Sequence, residues 1–130
     1  MYYLTDTMAL VWHSQRDRKL GKRARQIFTA SEQGRHTVAV SGVTLMEVLY
    51  LSERRRISVN LATLQHLFTQ SSNYVVIPVS FDVVAASALI DDIPELHDRV
   101  LAGTAAWLNI PILTNDPDIT ASRHVRTIWR

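Results

Sequence analysis

Apolar residues follow two periods along this chain, one typical of strands and one typical of helices. Short β-branched or apolar runs predict five strands: Tyr2–Thr5, Thr37–Val40, Tyr74–Val79, Ile112–Thr114 and Val125–Trp129. Apolar residues spaced by three and four predict six helices: Met8–His13, Leu20–Ala30, Val43–Leu51, a helix from Asn60 to Gln70, Phe81–Ile90 and His97–Leu108. Ser41, Asn60 and Ser80 are suited to cap the helices that follow them. We expect a loop over Asn115–Thr120, and we interpret Tyr74–Val79 as a buried strand.

Strands that alternate with helices favour a parallel sheet, because parallel neighbours need a crossover connection and a helix supplies it. We therefore predict an α/β fold with three layers, α/β/α, around a central parallel sheet. The 130 residues are enough for one hydrophobic core, and residues 1–130 are predicted to form a single domain without repeats or linkers. No stretch reads as a membrane span, since the most apolar one, Tyr74–Ile90, is interrupted by Pro78, Ser80 and Asp82.

Four carboxylates stand where a folded chain normally places apolar side chains. Asp6 directly follows the predicted strand Tyr2–Thr5, and Asp116 comes just after the predicted strand Ile112–Thr114. A parallel sheet would therefore carry both acids to its carboxyl edge. Glu47 and Asp98 interrupt the apolar faces of two predicted helices. Buried like charges repel one another and lose their hydration, and a metal ion is the simplest compensation.

The helical spacing indicates that Glu47 and Asp98 point inward. Glu47 shares its predicted face with Val43, Met46, Tyr50 and Leu51. Asp98 shares its predicted face with an apolar group: Leu101, Ala102 and Ala105. Each acid taken alone also has an ordinary structural explanation, because Asp98 in a first turn interacts favourably with the helix dipole and Glu47 could bond a buried backbone group. The joint placement of four acids is what indicates a shared site.

Charge and composition add a second feature, a basic surface. The net charge is +2, but lysine and arginine are concentrated in two segments: Arg16, Arg18, Lys19, Lys22, Arg23 and Arg25, and the run Arg54–Arg56. Clustered basic residues bind a nucleic-acid backbone through counterion release, although they also occur on solvated helix faces that bind nothing. Cysteine is absent, which excludes disulfides, thiolate metal sites and cysteine nucleophiles and suits a reducing cytoplasm.

Four ordered motifs resemble those of PIN-domain ribonucleases. They are Tyr2-Tyr3-Leu4-Thr5-Asp6-Thr7, Val40-Ser41-Gly42-Val43-Thr44-Leu45-Met46-Glu47-Val48, Glu95-Leu96-His97-Asp98-Arg99-Val100-Leu101-Ala102-Gly103-Thr104-Ala105 and Pro111-Ile112-Leu113-Thr114-Asn115-Asp116-Pro117. The likeness runs from Tyr2 to Trp129 and is greatest to the short VapC-type toxins of bacterial toxin–antitoxin pairs. Two positions depart from the pattern: Gly103 stands where alanine is commoner, and Arg55 stands where glycine is frequent.

The resemblance implies a metal-dependent endoribonuclease of the bacterial or archaeal cytoplasm. Asp6, Glu47, Asp98 and Asp116 would be its catalytic, metal-binding quartet, with Mg²⁺ as the metal and Mn²⁺ as a substitute. We expect Asp6 and Asp98 to lie closest to the metal, Asp116 to complete the site, and Glu47 to orient a water or a second ion. Thr7 and Thr114 would be supporting hydroxyls. The implied partners are an RNA substrate, a small antitoxin protein that places an arginine among the carboxylates, and a second copy in a homodimer.

Other classes are weighed against this interpretation. A PIN nuclease without an antitoxin, acting in RNA processing, and a non-catalytic RNA-binding or scaffold module both stay open. An aspartyl phosphatase is disfavoured, because Met8 stands where that class has its second aspartate. The five histidines lack metal-ligand spacing, which argues against a zinc site or a histidine base. We place Asp91, Asp92 and Asp118 outside the predicted site.

Overall fold

The computed structural model describes residues 1–130 as a parallel sheet with helices on both faces. Its strands are β1 (Tyr2–Thr5), β2 (Thr37–Ser41), β3 (Tyr74–Ile77), β4 (Ile112–Leu113) and β5 (Thr127–Ile128), in the order β3-β2-β1-β4-β5 with every pair parallel. Its helices are α1 (Thr7–Gln15), α2 (Lys22–Glu32), α3 (Gly42–Glu53), α4 (Leu61–Gln70), α5 (Phe81–Ala88), α6 (Leu96–Leu108) and α7 (Pro117–Thr120). The predicted α/β class with a central parallel sheet is confirmed. None of these helices combines the length and hydropathy that a bilayer crossing requires.

Three helices begin at the predicted caps. The Ser41 hydroxyl accepts the backbone N–H of Val43, and the side chains of Asn60 and Ser80 accept a backbone N–H in the first turns of α4 and α5. Each cap satisfies one of the amide groups that a helix leaves unpaired at its start. Asn109 ends α6 in the left-handed conformation, with φ 54°, before Pro111 blocks further helix.

The alternation of side chains along the strands divides the core into two layers. On one face, Tyr3, Val38, Val40 and Leu113 pack with buried residues of α1, α2 and α4: Ala9, Leu10, Val11, Ala24, Ile27, Phe28 and Leu64. On the other face, strand residues pack with α6 and α7: Leu4, Ala39, Ile112, Leu101, Ala102, Ala105 and Ile119. Because successive strand residues point to opposite faces, a sheet buried on both sides needs continuous apolar runs. This explains why the strands of this chain lack polar alternation.

Three predicted elements differ from the structure. The strand predicted to be buried, β3, is an edge strand, and its Val76 is 44% exposed. The predicted strand Val125–Trp129 is reduced to the two residues of β5. The predicted loop Asn115–Thr120 contains the short helix α7, in which Pro117 occupies the first turn. The apolar pattern of a strand does not show whether the strand lies at the edge or in the middle of the sheet. A helix of one turn is too short to produce a recognisable period.

The two departures from the PIN pattern stand at positions with special local geometry. A Cβ on Gly103 would lie 2.1 Å from the Ser87 Oγ and 2.6 Å from its Cα, so the glycine permits close packing of α6 on α5. Arg55 has φ 55°, a left-handed conformation that favours glycine. The first departure therefore tightens a helix pair, and the second places a side chain in a conformation that costs it backbone energy.

Candidate metal centre

The candidate site lies where the strand order of the sheet reverses. The chain moves from β1 to β2 and β3 on one side, and then returns to β4 and β5 on the other side of β1. In open parallel sheets such a switch point leaves a crevice beyond the carboxyl ends of the two strands. Asp6 directly follows β1, and Asp116 follows β4. The topology thus explains why these two acids meet.

Asp6 is held rigidly at the start of α1. Its Oδ1 accepts the Ala9 N–H at 2.7 Å as the helix N-cap, and the residue is only 9% exposed. Burial raises the pKa of Asp6 to about 6, hydrogen bonds from Thr114 and Ala9 oppose that rise, and the charges of Asp116 and Glu47 add to it. The cap fixes one carboxylate oxygen, and the local charge favours a proton or a cation on this group.

Glu47 projects from α3 toward the same place. The Thr7 hydroxyl donates to Glu47 Oε1 at 2.8 Å, which links the start of α1 to the middle of α3. The prediction that Met46 and Tyr50 share a buried face with Glu47 is wrong, because they are 58% and 50% exposed. The buried side of α3 is instead formed by Val43, Thr44 and Val48. Glu47 therefore lies at the boundary between the core and an open cleft.

Asp98 lies in the first turn of α6, partly buried, with the predicted apolar face below it. Leu101, Ala102 and Ala105 are all buried, as their spacing predicts. Burial raises the pKa of Asp98 to about 6, and the negative charges of nearby carboxylates add to the rise: Asp116, Glu95, Glu47 and Asp118. These charges show that the Asp98 carboxylate lies near α3, which carries Glu47, and near the segment that follows β4. The structure thus brings the four predicted acids, Asp6, Glu47, Asp98 and Asp116, to one edge of the sheet.

A fifth acid joins them that sequence reasoning left outside. Asp116 caps α7 by accepting the Asp118 N–H at 2.9 Å, so Asp118 falls in the first turn of that helix. Carboxylate oxygens of Asp98, Asp116 and Asp118 lie within 4.8 Å of one another. The signal in the sequence was the order Asp-Pro-Asp, since proline after a capping aspartate marks a helix start.

The Thr114 side chain joins the two halves of this cluster. Its hydroxyl oxygen accepts the Asp116 N–H at 3.0 Å, and the same side chain lies close enough to Asp6 to oppose the rise of the Asp6 pKa. Thr114 is almost fully buried, at 1% exposure. One threonine therefore neighbours both acids that flank the crevice, and Thr7 bonds Glu47.

No cationic side chain neutralises the five acids, which are named here the acidic cluster: Asp6, Glu47, Asp98, Asp116 and Asp118. The ion pairs of the chain are His13–Glu32, Lys19–Asp17, His97–Glu95, Arg123–Asp91 and His124–Asp91. Each of these pairs lies outside the acidic cluster. Carboxylates that converge without a nearby protein cation repel one another, so the acidic cluster favours the binding of a proton or a metal cation.

Asp91 and Asp92 form a separate group with a different environment. Arg123 Nη2 donates to both Asp91 carboxylate oxygens, at 3.0 and 2.9 Å, and His124 Nε2 lies 2.7 Å from Asp91. The Ser122 hydroxyl and the Arg123 N–H donate to Asp92. Hydrogen bonding to His124 lowers the pKa of Asp91, and the Arg123 N–H lowers the pKa of Asp92. These acids connect the segment after α5 to the segment after α7, and they are already satisfied.

The donor chemistry of the acidic cluster suits a hard divalent cation. All of its ligand atoms are carboxylate oxygens, and a threonine hydroxyl holds the carboxylate of Glu47. Mg²⁺ and Mn²⁺ prefer oxygen ligands, and Mg²⁺ retains several waters, so a few carboxylates suffice. A zinc site is disfavoured, because no histidine or cysteine joins this cluster.

Comparison with known proteins identifies similar sequences and folds. The family model described as PIN domain matches residues 3–124. VapBC2 from Rickettsia felis, solved bound to a DNA fragment from its promoter, has a TM-score of 0.75 at 17% identity, with 100% of both chains covered. DNA-bound VapBC from Salmonella typhimurium has a TM-score of 0.70 at 18% identity, covering 98% of this chain and 97% of that chain.

A toxin–antitoxin complex from Klebsiella pneumoniae has a TM-score of 0.61 at 23% identity, covering 92% of this chain and 90% of that chain. At these identities the likeness establishes the fold. No curated protein matches the chain.

Proposed function

The chain belongs to the PIN-domain family, and from this premise we propose that it is a metal-dependent endoribonuclease and the toxin of a type II toxin–antitoxin pair. The observation that carries the proposal is the acidic cluster, which gathers five carboxylates at the switch point of the sheet without a protein cation. Such a cluster is costly to a fold that does not use it. A bound cation would offset this cost and give the acidic cluster a catalytic function.

Asp6, Asp98 and Asp116 would hold Mg²⁺, with Mn²⁺ as a substitute, and Asp118 would complete the ligand set. A bound divalent cation supplies the positive charge that activates an attacking water and stabilises the phosphoryl oxygens of RNA. The acidic centre alone repels a phosphodiester, so substrate binding and metal binding are expected to be coupled. Metal dependence of cleavage follows from this electrostatic argument.

The residues of the chain position the reacting groups. Asp6 has one oxygen committed to the Ala9 N–H, and its other oxygen would bind the cation. Glu47, oriented by the Thr7 hydroxyl, stands at the cleft side of the cluster and would accept a hydrogen bond from the attacking water. Because a water attacks, the products carry a 5′-phosphate and a 3′-hydroxyl, and the ribose 2′-hydroxyl takes no part.

RNA is the proposed substrate because the chain exposes two groups of basic side chains. The arginines of the run Arg54–Arg56, which follows the helix of Glu47, are all exposed. Lys22, Arg23 and Arg25 of α2 are exposed as well. Exposed arginine and lysine bind phosphates, so these groups can hold the RNA backbone on the protein surface.

The proposed protein partners are an antitoxin and a second copy of this chain. The fold neighbours include toxin–antitoxin complexes, which supports an antitoxin partner. We propose that this antitoxin neutralises the acidic cluster with an arginine. The start of α5 exposes Phe81 at 87% and Val84 at 51%, which supports a homodimer contact there. We place this activity in the cytoplasm of a bacterium or archaeon.

The test is cleavage of labelled RNA by the wild type, Asp6→Ala and a control, Asp91→Ala, with Mg²⁺ and with EDTA. We expect cleavage by the wild type and the control only with Mg²⁺, and none by Asp6→Ala, which should still bind RNA. A substrate with a 2′-deoxy sugar at the scissile position should also be cleaved. Equal cleavage by Asp6→Ala would remove Asp6 from the mechanism, and binding without cleavage by every form would favour a non-catalytic RNA-binding module.

A further inference from the structure

A cavity of about 560 Å³ opens beside the acidic cluster, between the exposed side of α3 and the start of α6. Its walls include Met46, Leu49 and Tyr50 from α3 and His97 from α6. The volume falls in the range of about 300–1,000 Å³ that is common for small-ligand sites. The cavity can therefore accept a flat ring with its attached sugar.

The cavity is continuous with the acidic cluster through Glu47. Glu47 lines the cavity and also contributes its charge to the environments of Asp6 and Asp98. His97 lines the opposite side and directly precedes Asp98. A polymer whose phosphodiester lies at the acids would therefore place an adjoining unit in the cavity.

The walls are suited to an aromatic ring rather than to a phosphate. Tyr50 is 50% exposed, and the Arg54 guanidinium stacks on its ring at 3.8 Å from the centroid. Met46 and Leu49 are 58% and 44% exposed, an unusual exposure for large apolar residues side by side on one helix. Unpaired RNA bases stack on aromatic rings and on arginine planes.

Polar groups in the cavity narrow the choice of ligand. The carboxylates of Glu47 and Glu53 repel a phosphate, and as acceptor-only groups they can receive hydrogen bonds from the amino and imino groups of a base. The exposed Arg54–Arg56 run lies just beyond Glu53, where it can hold the backbone that leaves the cavity. The apolar walls, the stacked tyrosine–arginine pair and the acceptor groups together match an unpaired RNA base.

We propose that this cavity is the subsite for an unpaired nucleobase adjoining the cleaved bond, with Tyr50 as its stacking and specificity-determining residue. The inference rests on the proposed ribonuclease function and adds to it the mode of substrate selection. Bases whose edge presents hydrogen-bond donors to Glu53 are favoured. Single-stranded loops are favoured over duplex, because a paired base cannot enter.

The test separates base binding from cleavage by measuring affinity in EDTA, where every protein lacks the contribution of the metal and only the differences in affinity between the proteins are compared. Fluorescence anisotropy gives the affinity for short random-sequence single-stranded RNA and for an abasic ribose-phosphate chain of the same length. The proteins are the wild type, Tyr50→Ala, Tyr50→Phe and Tyr2→Ala, a matched control that is 53% exposed at the amino end of β1. Light scattering gives the molar mass of each protein, and cleavage positions are mapped in Mg²⁺.

We expect Tyr50→Ala to bind RNA about 5- to 150-fold more weakly, which is the effect of losing one stacked base. Its affinity for the abasic chain should equal that of the wild type, and Tyr50→Phe and Tyr2→Ala should bind RNA normally. Tyr50→Ala should also lose preference among cleavage positions while its Mg²⁺ requirement stays the same.

Unchanged RNA affinity in Tyr50→Ala, or an equal loss for the abasic chain, would overturn the subsite. A changed molar mass in Tyr50→Ala would also overturn it, since a second copy of the chain would then occupy the cavity. Failure of the wild type to cleave any RNA in Mg²⁺ would overturn the ribonuclease function instead, because base binding is measured without cleavage.

Discussion

Replacing Asp6 by asparagine should stabilise the metal-free protein at neutral pH while abolishing its activity. The buried carboxylate has no cationic partner, and neighbouring acids repel it. Asparagine removes the charge but keeps a side-chain oxygen that can accept the Ala9 N–H as an N-cap. The substitution therefore isolates the electrostatic cost of Asp6 from its structural role.

The magnitude follows from the pKa of Asp6. The folded chain raises this pKa from 3.8 to about 6. At about 1.36 kcal/mol for each pH unit between the two values, the ionised carboxylate costs about 3 kcal/mol above pH 6. Asparagine must still be buried, so we expect a gain of about 1–3 kcal/mol and a rise in Tm of about 4–12 °C.

The pH dependence gives the sign of the effect. Below the ordinary pKa the carboxyl is protonated in the folded and unfolded chains, and above about 6 it is ionised in both. The folded state of the wild type therefore loses stability as pH rises from about 4 to about 6. The advantage of Asp6→Asn should be absent near pH 4 and complete near pH 7.

The assay is urea unfolding in EDTA across this pH range, with Asp82→Asn as the control. Asp82 is an exposed acid in the first turn of α5, so its removal should lower stability by about 0.3–1 kcal/mol, through loss of the helix-dipole interaction. An Asp6→Asn protein that is less stable than the wild type at pH 7, or a gain that persists at pH 4, would refute the electrostatic reasoning.

Three further substitutions test the packing and the centre. Gly103→Ala should destabilise the protein by about 1–3 kcal/mol in urea unfolding, because its Cβ would lie 2.6 Å from the Ser87 Cα; an unchanged midpoint would contradict the close α5–α6 packing. Thr7→Val should lower RNA cleavage by about 10- to 100-fold, because Glu47 loses its orienting hydroxyl, whereas unchanged cleavage would separate that hydrogen bond from catalysis. Asp118→Asn should reduce the rise in Tm that Mg²⁺ produces, and a full rise would exclude Asp118 from the ligands.

Much of the fold was predictable because its signals are local. A capping side chain at Ser41, Asn60 or Ser80 needs only the few residues after it, and each of these caps is present. The alternation of strands with helices was sufficient to predict the parallel sheet. The exposure of β3 was not predictable in this way, since a strand at the edge and a strand at the centre of a sheet have similar apolar sequences.

The candidate site shows the same limit at the level of single side chains. Asp98 was placed correctly on a helix face because the buried residues after it repeat at helical spacing. The same reasoning was wrong for Met46 and Tyr50, since periodicity groups residues on one face without revealing whether that face meets the core or a cleft. Asp118 was missed because α7 is a single helical turn, too short to produce a period.

The central claim is that the acidic cluster binds a divalent cation, and calorimetric titration of the metal-free protein with Mg²⁺ and Mn²⁺ tests it most directly. The proteins are the wild type, Asp98→Asn and Asp91→Asn, whose substituted acid belongs to the group already bonded to Arg123 and His124. We predict saturable binding by the wild type and Asp91→Asn, and affinity weaker by about tenfold or more in Asp98→Asn. Equal binding by all three proteins, or no binding by the wild type, would contradict a shared cation site.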